Sequence, residues 1–182
     1  MALNFNLTST LNSADITASY ASTRHIYLFG KRCFDIVCSL LAIVLLSPVM
    51  LIVAILVYST SKGSILFKDK RVGKDGKDIY ILKFRTMVWD SEINIDKYLN
   101  KKQKRQWETE RKIIGDPRLT KIGKFLRKSS IDELPQLFNV LYGNLSLIGA
   151  RPITRYELEK HFNSDQQKIL LSTWIQRKFK SI

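Results

Sequence analysis

The fold is decided by residues 31–60, which read KRCFDIVCSLLAIVLLSPVMLIVAILVYST. Within this stretch the 23 residues from Ile36 to Tyr58 carry no charged side chain, which is long enough to cross the hydrocarbon core of a bilayer. Pro48 lies near the centre and has no N–H to donate to the carbonyl of Val44, so we expect a bend there. The hydroxyl of Ser47 can donate a hydrogen bond to the carbonyl that Pro48 frees.

Positive charge flanks this segment on both sides. The flanking cations are Lys31, Arg32, Lys62, Lys68, Lys70 and Arg71. A helix that crosses a membrane usually has its Lys and Arg excess on one side only. The residues alone therefore leave two alternatives. One is a bent helix that spans the membrane, and the other is a re-entrant hairpin, broken at Ser47-Pro48, that returns to its starting face.

Basic charge is concentrated downstream of the apolar segment. The net charge is +14, of which residues 1–60 carry +1 and residues 61–182 carry +13. A basic domain beside a bilayer predicts contact with anionic lipid headgroups, with phosphorylated substrates, or with both. Nucleic-acid binding is not expected, because the basic residues lack the interleaved aromatic side chains of a single-strand stacking surface. The two cysteines, Cys33 and Cys38, have no metal-ligand or disulfide spacing, which fits a reducing compartment.

Four regions follow from these patterns. We predict a poorly ordered leader, a re-entrant membrane helix, a membrane-associated catalytic domain and a basic tail, over residues 1–27, 28–61, 62–170 and 171–182 respectively. The predicted fold class is α+β: the membrane helix is followed by a small, mainly helical cytoplasmic domain with a short β-hairpin. The turn signal Asp75-Gly76 places this hairpin between strands near residues 65–67 and 79–87. Helical patterns follow over residues 89–114, 119–128, 129–144 and 153–169.

The acidic pair Asp132-Glu133 is the main candidate for chemistry. Two local interpretations are open. Ser130 and Glu133 match a capping box, whereas Asp132 as N-cap would put Pro135 at the third helical position, where its missing N–H costs nothing. In both cases the carboxylates lie at the positive end of a helix, which favours their ionised form. An ionised carboxylate can act as a nucleophile or as a magnesium ligand.

Five cations occupy turns or element edges around this pair. They are Lys83, Arg85, Arg118, Arg127 and Arg151. Arginine in such positions suits bidentate recognition of phosphate oxygens. Together with the acidic pair, these cations predict a site that handles phosphate.

At this point the residues match a known family. Residues 119–152, LTKIGKFLRKSSIDELPQLFNVLYGNLSLIGARP, resemble the bacterial sugar transferases called monotopic phosphoglycosyl transferases. The upstream KRCFDI, the Ser47-Pro48 pair, FKDKRVGKDGK and KFRTM match the same family in the same order. The resemblance covers about residues 28–160.

The resemblance implies a reaction and assigns roles. The family moves a sugar-1-phosphate from a UDP-sugar to polyprenyl (undecaprenyl) phosphate and releases UMP, which begins an exopolysaccharide, capsule or O-antigen glycan. It implies that Asp132 is the nucleophile that forms a covalent phosphosugar intermediate, and that Glu133 helps to hold Mg²⁺. The residues that match its phosphate-binding positions are Lys83, Arg85, Arg127 and Arg151.

The resemblance also implies a topology. Its membrane helix is re-entrant and broken at Ser47-Pro48, so both ends return to the cytoplasmic face of the bacterial inner membrane. The implied partners are a UDP-sugar, polyprenyl phosphate and an anionic membrane surface, and a homo-oligomer is compatible with it.

The chain departs from the family pattern in three places. Asn144 stands where the family usually has Asp or Glu, and Ala150 stands where it usually has Pro. The family's later Pro-Gly-x-Thr-Gly and Gly-Arg motifs are not found before Ile182. We therefore expect a C-terminally truncated transferase. The alternative is a catalytically inactive membrane-bound protein that only binds lipid or a partner.

Overall fold

A computed structural model describes residues 13–60, 63–73, 76–91, 93–110, 113–149 and 151–167, with side chains of the first segment from Ile26 onward. The apolar segment belongs to one helix, α1, Ser13–Thr60, of 48 residues. Residues 13–27 of the predicted leader are therefore helical, since adding a residue to an existing helix gains a hydrogen bond at low cost. By length and composition, Ile26–Thr60 is sufficient to cross a membrane. The four-region division stays a prediction, and the basic tail lies outside the described residues.

Helix α1 continues through Ser47 and Pro48, where a break was predicted. The hydroxyl Oγ of Ser47 donates to the carbonyl of Val44 at 2.8 Å, as the sequence predicted. This hydroxyl takes the place of the amide that Pro48 lacks, which explains how the helical backbone is maintained across the proline.

A two-stranded antiparallel hairpin follows α1, as predicted. Strand β1, Leu66–Val72, pairs with β2, Asp78–Phe84, in a register that sets Phe67 opposite Lys83. Since side chains alternate between the two faces of a strand, Lys83 shares its face with Asp69 and Arg71 of β1.

The single helix predicted over residues 89–114 is instead two helices, α2, Ile95–Tyr98, and α3, Lys101–Glu110. Leu99 and Asn100 separate them. The Oδ1 of Asn100 accepts from the amide of Gln103 at 2.8 Å, and the amide of Asn100 donates to Oε1 of Gln103 at 3.1 Å. This reciprocal pair starts a new helix at α3. The prediction was wrong because it counted helix-forming residues and missed the cap.

The remaining predicted helices are present with shorter bounds. They are α4, Lys121–Ser129; a 3-10 turn, Ile131–Glu133; α5, Gln136–Leu141; and α6, Arg155–His161. Gly143 ends the region of α5 in the left-handed conformation, with φ of 82°, in agreement with its predicted role as a stop.

An apolar cluster joins α1 to the small domain. Val53 and Val57 of α1 are buried with Phe84 and Leu126. The partly buried residues packed against them are Met50, Ala54, Ile65, Ile122, Ile131 and Leu134. Burying one such valine or leucine contributes about 1.5–3 kcal/mol, so the cluster fixes α4 and the 3-10 turn beside the apolar helix. The α+β fold class is confirmed.

Candidate active site

The acidic pair lies in the 3-10 turn between α4 and α5. Ser130 has a φ of 57° and ends α4, and its side chain makes no capping bond to the turn. Helix α5 begins only after Pro135, which stands at its N-cap. Both predicted capping arrangements were therefore wrong. The left-handed residue and the proline produce a tight turn that presents Asp132 and Glu133 on consecutive positions.

The two carboxylates of the pair have different environments. Asp132 is buried, with 8% of its surface exposed, whereas the Glu133 side chain is about half exposed. Burial raises the pKa of Asp132; Lys83 opposes this, Glu133 adds to it, and Arg127 opposes it. Compared with an exposed aspartate, the net effect is a raised pKa, because burial is the largest of these effects. The expectation that the turn favours the ionised form stays a prediction.

Strand β2 brings Lys83 to the pair. Its Nζ donates to Oε1 of Glu133 at 3.3 Å and lies 3.6 Å from Oδ2 of Asp69. The Lys83 side chain is 20% exposed, so solvent screens these interactions only partly. An ammonium in this position can contact a substrate phosphate and the carboxylates together.

Helix α4 contributes Arg127 from its last turn. Its Nε donates to Oγ1 of Thr86 at 2.9 Å, which connects it to the KFRTM segment. A Cβ added to Gly123 would lie 1.9 Å from the carbonyl oxygen of Thr86, so only glycine allows α4 to approach this backbone so closely. The sequence signal for this contact was the isolated glycine in the KIGKFLRK helix pattern.

Arg151 is placed by its electrostatic effect on Glu157 of α6. The segment after it is held by a hydrogen bond from the amide of Val72 to the carbonyl of Ile153 at 2.9 Å. Burial acts to raise the pKa of Glu157, yet bonds from Thr154 and the charges of Arg71 and Arg151 lower it overall. Arg151 therefore lies near Glu157, in the segment that precedes α6.

Two other predicted cations are placed by aromatic contacts. The Cζ of Arg85 lies 5.0 Å from the ring centroid of Trp89. This contact does not test the predicted binding of phosphate by Arg85, which stays a prediction. Arg118 is 1% exposed, forms bidentate bonds of 2.7–3.1 Å with Asp116, and lies 4.4 Å from the Trp107 centroid. The expectation that Arg118 faces phosphate was wrong, because its donors are committed to a buried carboxylate.

Helix α5 is fixed to β2 by Asn139, which sequence reasoning missed. This residue is 2% exposed; its Oδ1 accepts from the amide of Leu82 and its Nδ2 donates to the carbonyl of Tyr80, both at 2.8 Å. The amide side chain thus pairs with the free edge of β2 as a neighbouring strand would.

The other end of α5 is fixed to α1 by Arg32. This residue donates from Nη1 to the carbonyl of Val140 at 2.6 Å and from Nη2 to that of Leu141 at 2.7 Å. Nearby, Oδ1 of Asp35 accepts from the amide of Leu147 at 3.2 Å. The apolar helix therefore contacts both α5 and the loop that follows it.

A model of the family described as bacterial sugar transferase matches residues 26–179. This chain belongs to the bacterial sugar transferase family. Within the family it is similar to an uncharacterized sugar transferase of Haemophilus influenzae, 46% identical over 72% of this chain and 28% of that protein. It is 43% identical to an undecaprenyl-phosphate galactose phosphotransferase of Salmonella typhimurium, over 73% of this chain and 28% of that protein. It is 44% identical to a UDP-glucose:undecaprenyl-phosphate glucose-1-phosphate transferase of Klebsiella pneumoniae, over 67% of this chain and 23% of that protein. This bacterial sugar transferase chain thus spans between a fifth and a third of the length of these relatives.

Proposed function

We propose that this protein is a phosphoglycosyl transferase. It transfers a sugar-1-phosphate from a UDP-sugar to polyprenyl (undecaprenyl) phosphate and releases UMP, at the start of an exopolysaccharide, capsule or O-antigen glycan. The observation that carries the proposal is the buried Asp132 carboxylate with Lys83 and Arg127 close enough to influence its charge. The similarity to relatives named for undecaprenyl phosphate and UDP-glucose supports the same reaction class.

The proposed mechanism has two displacements at one phosphorus atom. A carboxylate oxygen of Asp132 attacks the phosphorus that bears the sugar; the bond to the bridging oxygen breaks, and UMP leaves with the electron pair. An oxygen of polyprenyl phosphate then attacks the same phosphorus, and the bond to Asp132 breaks to regenerate the carboxylate. The cations Lys83 and Arg127 stabilise the negative charge that develops on the phosphate oxygens, with contributions proposed from Arg85 and Arg151.

The donor set fits Mg²⁺. Among the described residues there is no cluster of three or more metal-binding side chains. The candidate ligands for Mg²⁺ at the proposed site are the two carboxylates of Asp132 and Glu133. Mg²⁺ commonly takes one or two carboxylates and completes its shell with substrate phosphates and water. We assign it to Glu133, whose side chain is half exposed. When bound, Mg²⁺ neutralises diphosphate charge and stabilises the leaving group.

We also propose that α1 is re-entrant. Arg32 contacts the end of α5, whereas Val53 is packed in the same cluster as Leu134, just before α5 begins. Contacts of one small domain with Arg32, before the apolar segment, and with Val53, after Pro48, support a bend that returns the chain to the face from which it came. The domain would then lie at the cytoplasmic face of the inner membrane.

Helix α4 supports contact with an anionic membrane surface. Its exposed residues are Lys121, Lys124, Phe125, Arg127, Lys128 and Ser129. Lysines that surround an exposed aromatic ring suit anionic headgroups, each near-surface cation contributing about 1 kcal/mol.

The test is release of UMP from a set of UDP-sugars by the full chain in nanodiscs that contain polyprenyl phosphate and Mg²⁺. We expect release with at least one UDP-sugar, and loss of that release in Asp132→Asn. If no UDP-sugar yields UMP, or if Asp132→Asn releases it equally, the transferase proposal is wrong. Vesicle binding without release would then favour the alternative of an inactive membrane-binding protein.

A further inference from the structure

We propose that Asp69 is a positioning residue of the transfer site, which holds the ammonium of Lys83 between itself and Glu133 and connects it to Arg71. The inference rests on the proposed function for the role of Lys83. The contacts of Asp69 themselves do not depend on that function.

Asp69 faces the site from β1. Its Oδ2 accepts from Nε of Arg71 at 3.0 Å and from Nη2 at 2.7 Å, and lies 3.6 Å from Nζ of Lys83. The side chain is 18% exposed, and its charge also acts on Arg127. A carboxylate near bound diphosphate repels it unless the charge is offset. The positive charges of Arg71 and Lys83 offset the charge of Asp69. Asp69 can therefore orient these two side chains without repelling the diphosphate.

Lys83 has a carboxylate on either side. Its Nζ donates to Oε1 of Glu133 at 3.3 Å and stands 3.6 Å from Asp69. An ammonium has three donors and can serve both partners together. With the charge of Asp69 removed, the attraction of Glu133 for the ammonium is no longer opposed by a second carboxylate. Lys83 would then move toward Glu133 and compete with the cation or the substrate for its oxygens.

On the other side, Asp69 connects through Arg71 to the Arg151 segment. Nη1 of Arg71 lies 3.6 Å from Oε2 of Glu157. The same oxygen accepts from the amide of Thr154 at 2.7 Å and from its hydroxyl at 2.9 Å, which caps α6 directly after the Arg151 segment. The pair of Asp69 and Arg71 thus joins the acidic turn to the segment that carries Arg151.

A double-mutant cycle tests whether Asp69 acts through Lys83. Asp69→Asn is isosteric and keeps an oxygen that can accept from Arg71, so we expect it to fold. We expect it to lower kcat for UMP release about tenfold, which corresponds to a coupling typical of contacting residues, with little change in KM for the UDP-sugar. In a Lys83→Met background the same change is expected to cause no further loss. Equal losses in both backgrounds, or no loss with Lys83 present, would overturn the proposal.

Asp78→Asn is the matched control. Asp78 lies at the far end of the same hairpin and pairs with Lys70 at 2.8 Å and with Arg155 at 3.1 Å. We expect this variant to retain the wild-type kcat. If it lowered kcat as much as Asp69→Asn does, hairpin stability would explain both losses and the proposal would be wrong.

A second readout needs no activity. The ¹⁵N-labelled ζ-ammonium resonance of Lys83, assigned by its disappearance in Lys83→Met, reports its surroundings in the substrate-free protein. We expect it to shift in Asp69→Asn and to stay in place in Asp78→Asn. A resonance unchanged in Asp69→Asn would overturn the proposal. If the wild-type chain released no UMP, the proposed function would fail, while this shift would still decide the placement of Lys83 by Asp69.

Discussion

Lys83 on strand β2 donates a hydrogen bond to Glu133 in the turn before α5, with 3.3 Å between Nζ and Oε1, although 50 positions separate the two residues. The contact sets a cation beside an acidic pair whose first member is buried. Lys83 also acts to lower the pKa of Asp132, against the larger effect of burial, which raises it.

The acid limb of the pH–rate profile reports the charge of Asp132. Because burial raises the pKa of Asp132, the reactive carboxylate forms at a higher pH than an exposed aspartate would require. In Lys83→Met the loss of a nearby cation raises this pKa further, so the limb should move to higher pH.

The measurement is the initial rate of UMP release against pH for wild type and Lys83→Met. Lys70→Met is the control, because Lys70 pairs with Asp78 at the far end of the hairpin. An acid limb that stays in place in Lys83→Met, or that moves equally in Lys70→Met, would contradict this account of the pair.

Gly123→Ala should destabilise the docking of α4. The new Cβ would meet the carbonyl of Thr86 at 1.9 Å, and backbone on both sides has to move apart. We expect a loss of about 1–3 kcal/mol in the free energy of unfolding, with reduced activity because Arg127 moves with α4. Thermal unfolding measures the loss of stability. Gly30→Ala is the control, since a Cβ at Gly30 of α1 meets nothing within 4 Å. Equal stability of the two variants would contradict the close approach.

Asn139→Ala should loosen α5 from the hairpin. It leaves the amide of Leu82 and the carbonyl of Tyr80 without their side-chain partner. A buried polar group left unpaired costs about 1–3 kcal/mol, so we expect a clear fall in the unfolding midpoint. Asn94→Ala is the control, because Asn94 is exposed and bonds only at the surface with Asp90. A midpoint unchanged by Asn139→Ala would contradict the view that Asn139 fixes α5 to β2.

Pro48→Leu tests the proposed re-entrant helix. Leucine restores the N–H at position 48, which can donate to the carbonyl of Val44, and removes the proline ring. The proposed bend should therefore relax, and one terminus should cross the membrane. Labelling of single cysteines placed on either side of α1, from outside sealed vesicles, measures this change. We expect both sites on one face in the wild type and on opposite faces in the variant. Both sites on one face in the variant would show that proline is not what turns the chain.

Local patterns predicted the parts of the fold that depend on neighbours in the chain. The Asp75-Gly76 signal indicated the hairpin, and the position of Ser47 next to Pro48 indicated its bond to Val44. The family motifs singled out Asp132 and Glu133. The caps around this pair were mispredicted, because Ser130 adopts a left-handed conformation that its residue type does not specify.

Contacts between distant segments were not predictable from one sequence. Asp69 and Asn139 resemble an ordinary strand residue and an ordinary helix residue, since their partners lie on other elements. Arg118 shows the opposite error: its charge suggested phosphate, whereas its burial against Asp116 became visible only in the fold. Residue type identifies candidate chemistry, and tertiary packing decides which candidates face the site.

The covalent role of Asp132 is the central claim, and intact mass spectrometry tests it most directly. The full chain is incubated with Mg²⁺ and the UDP-sugar that supports UMP release, without polyprenyl phosphate, and is then quenched in acid. We predict a mass increase of one sugar-phosphate group on wild type, mapped to the peptide that holds Asp132, discharged by polyprenyl phosphate and lacking in Asp132→Asn. UMP release without an adduct, or an adduct that persists in Asp132→Asn, would contradict the account.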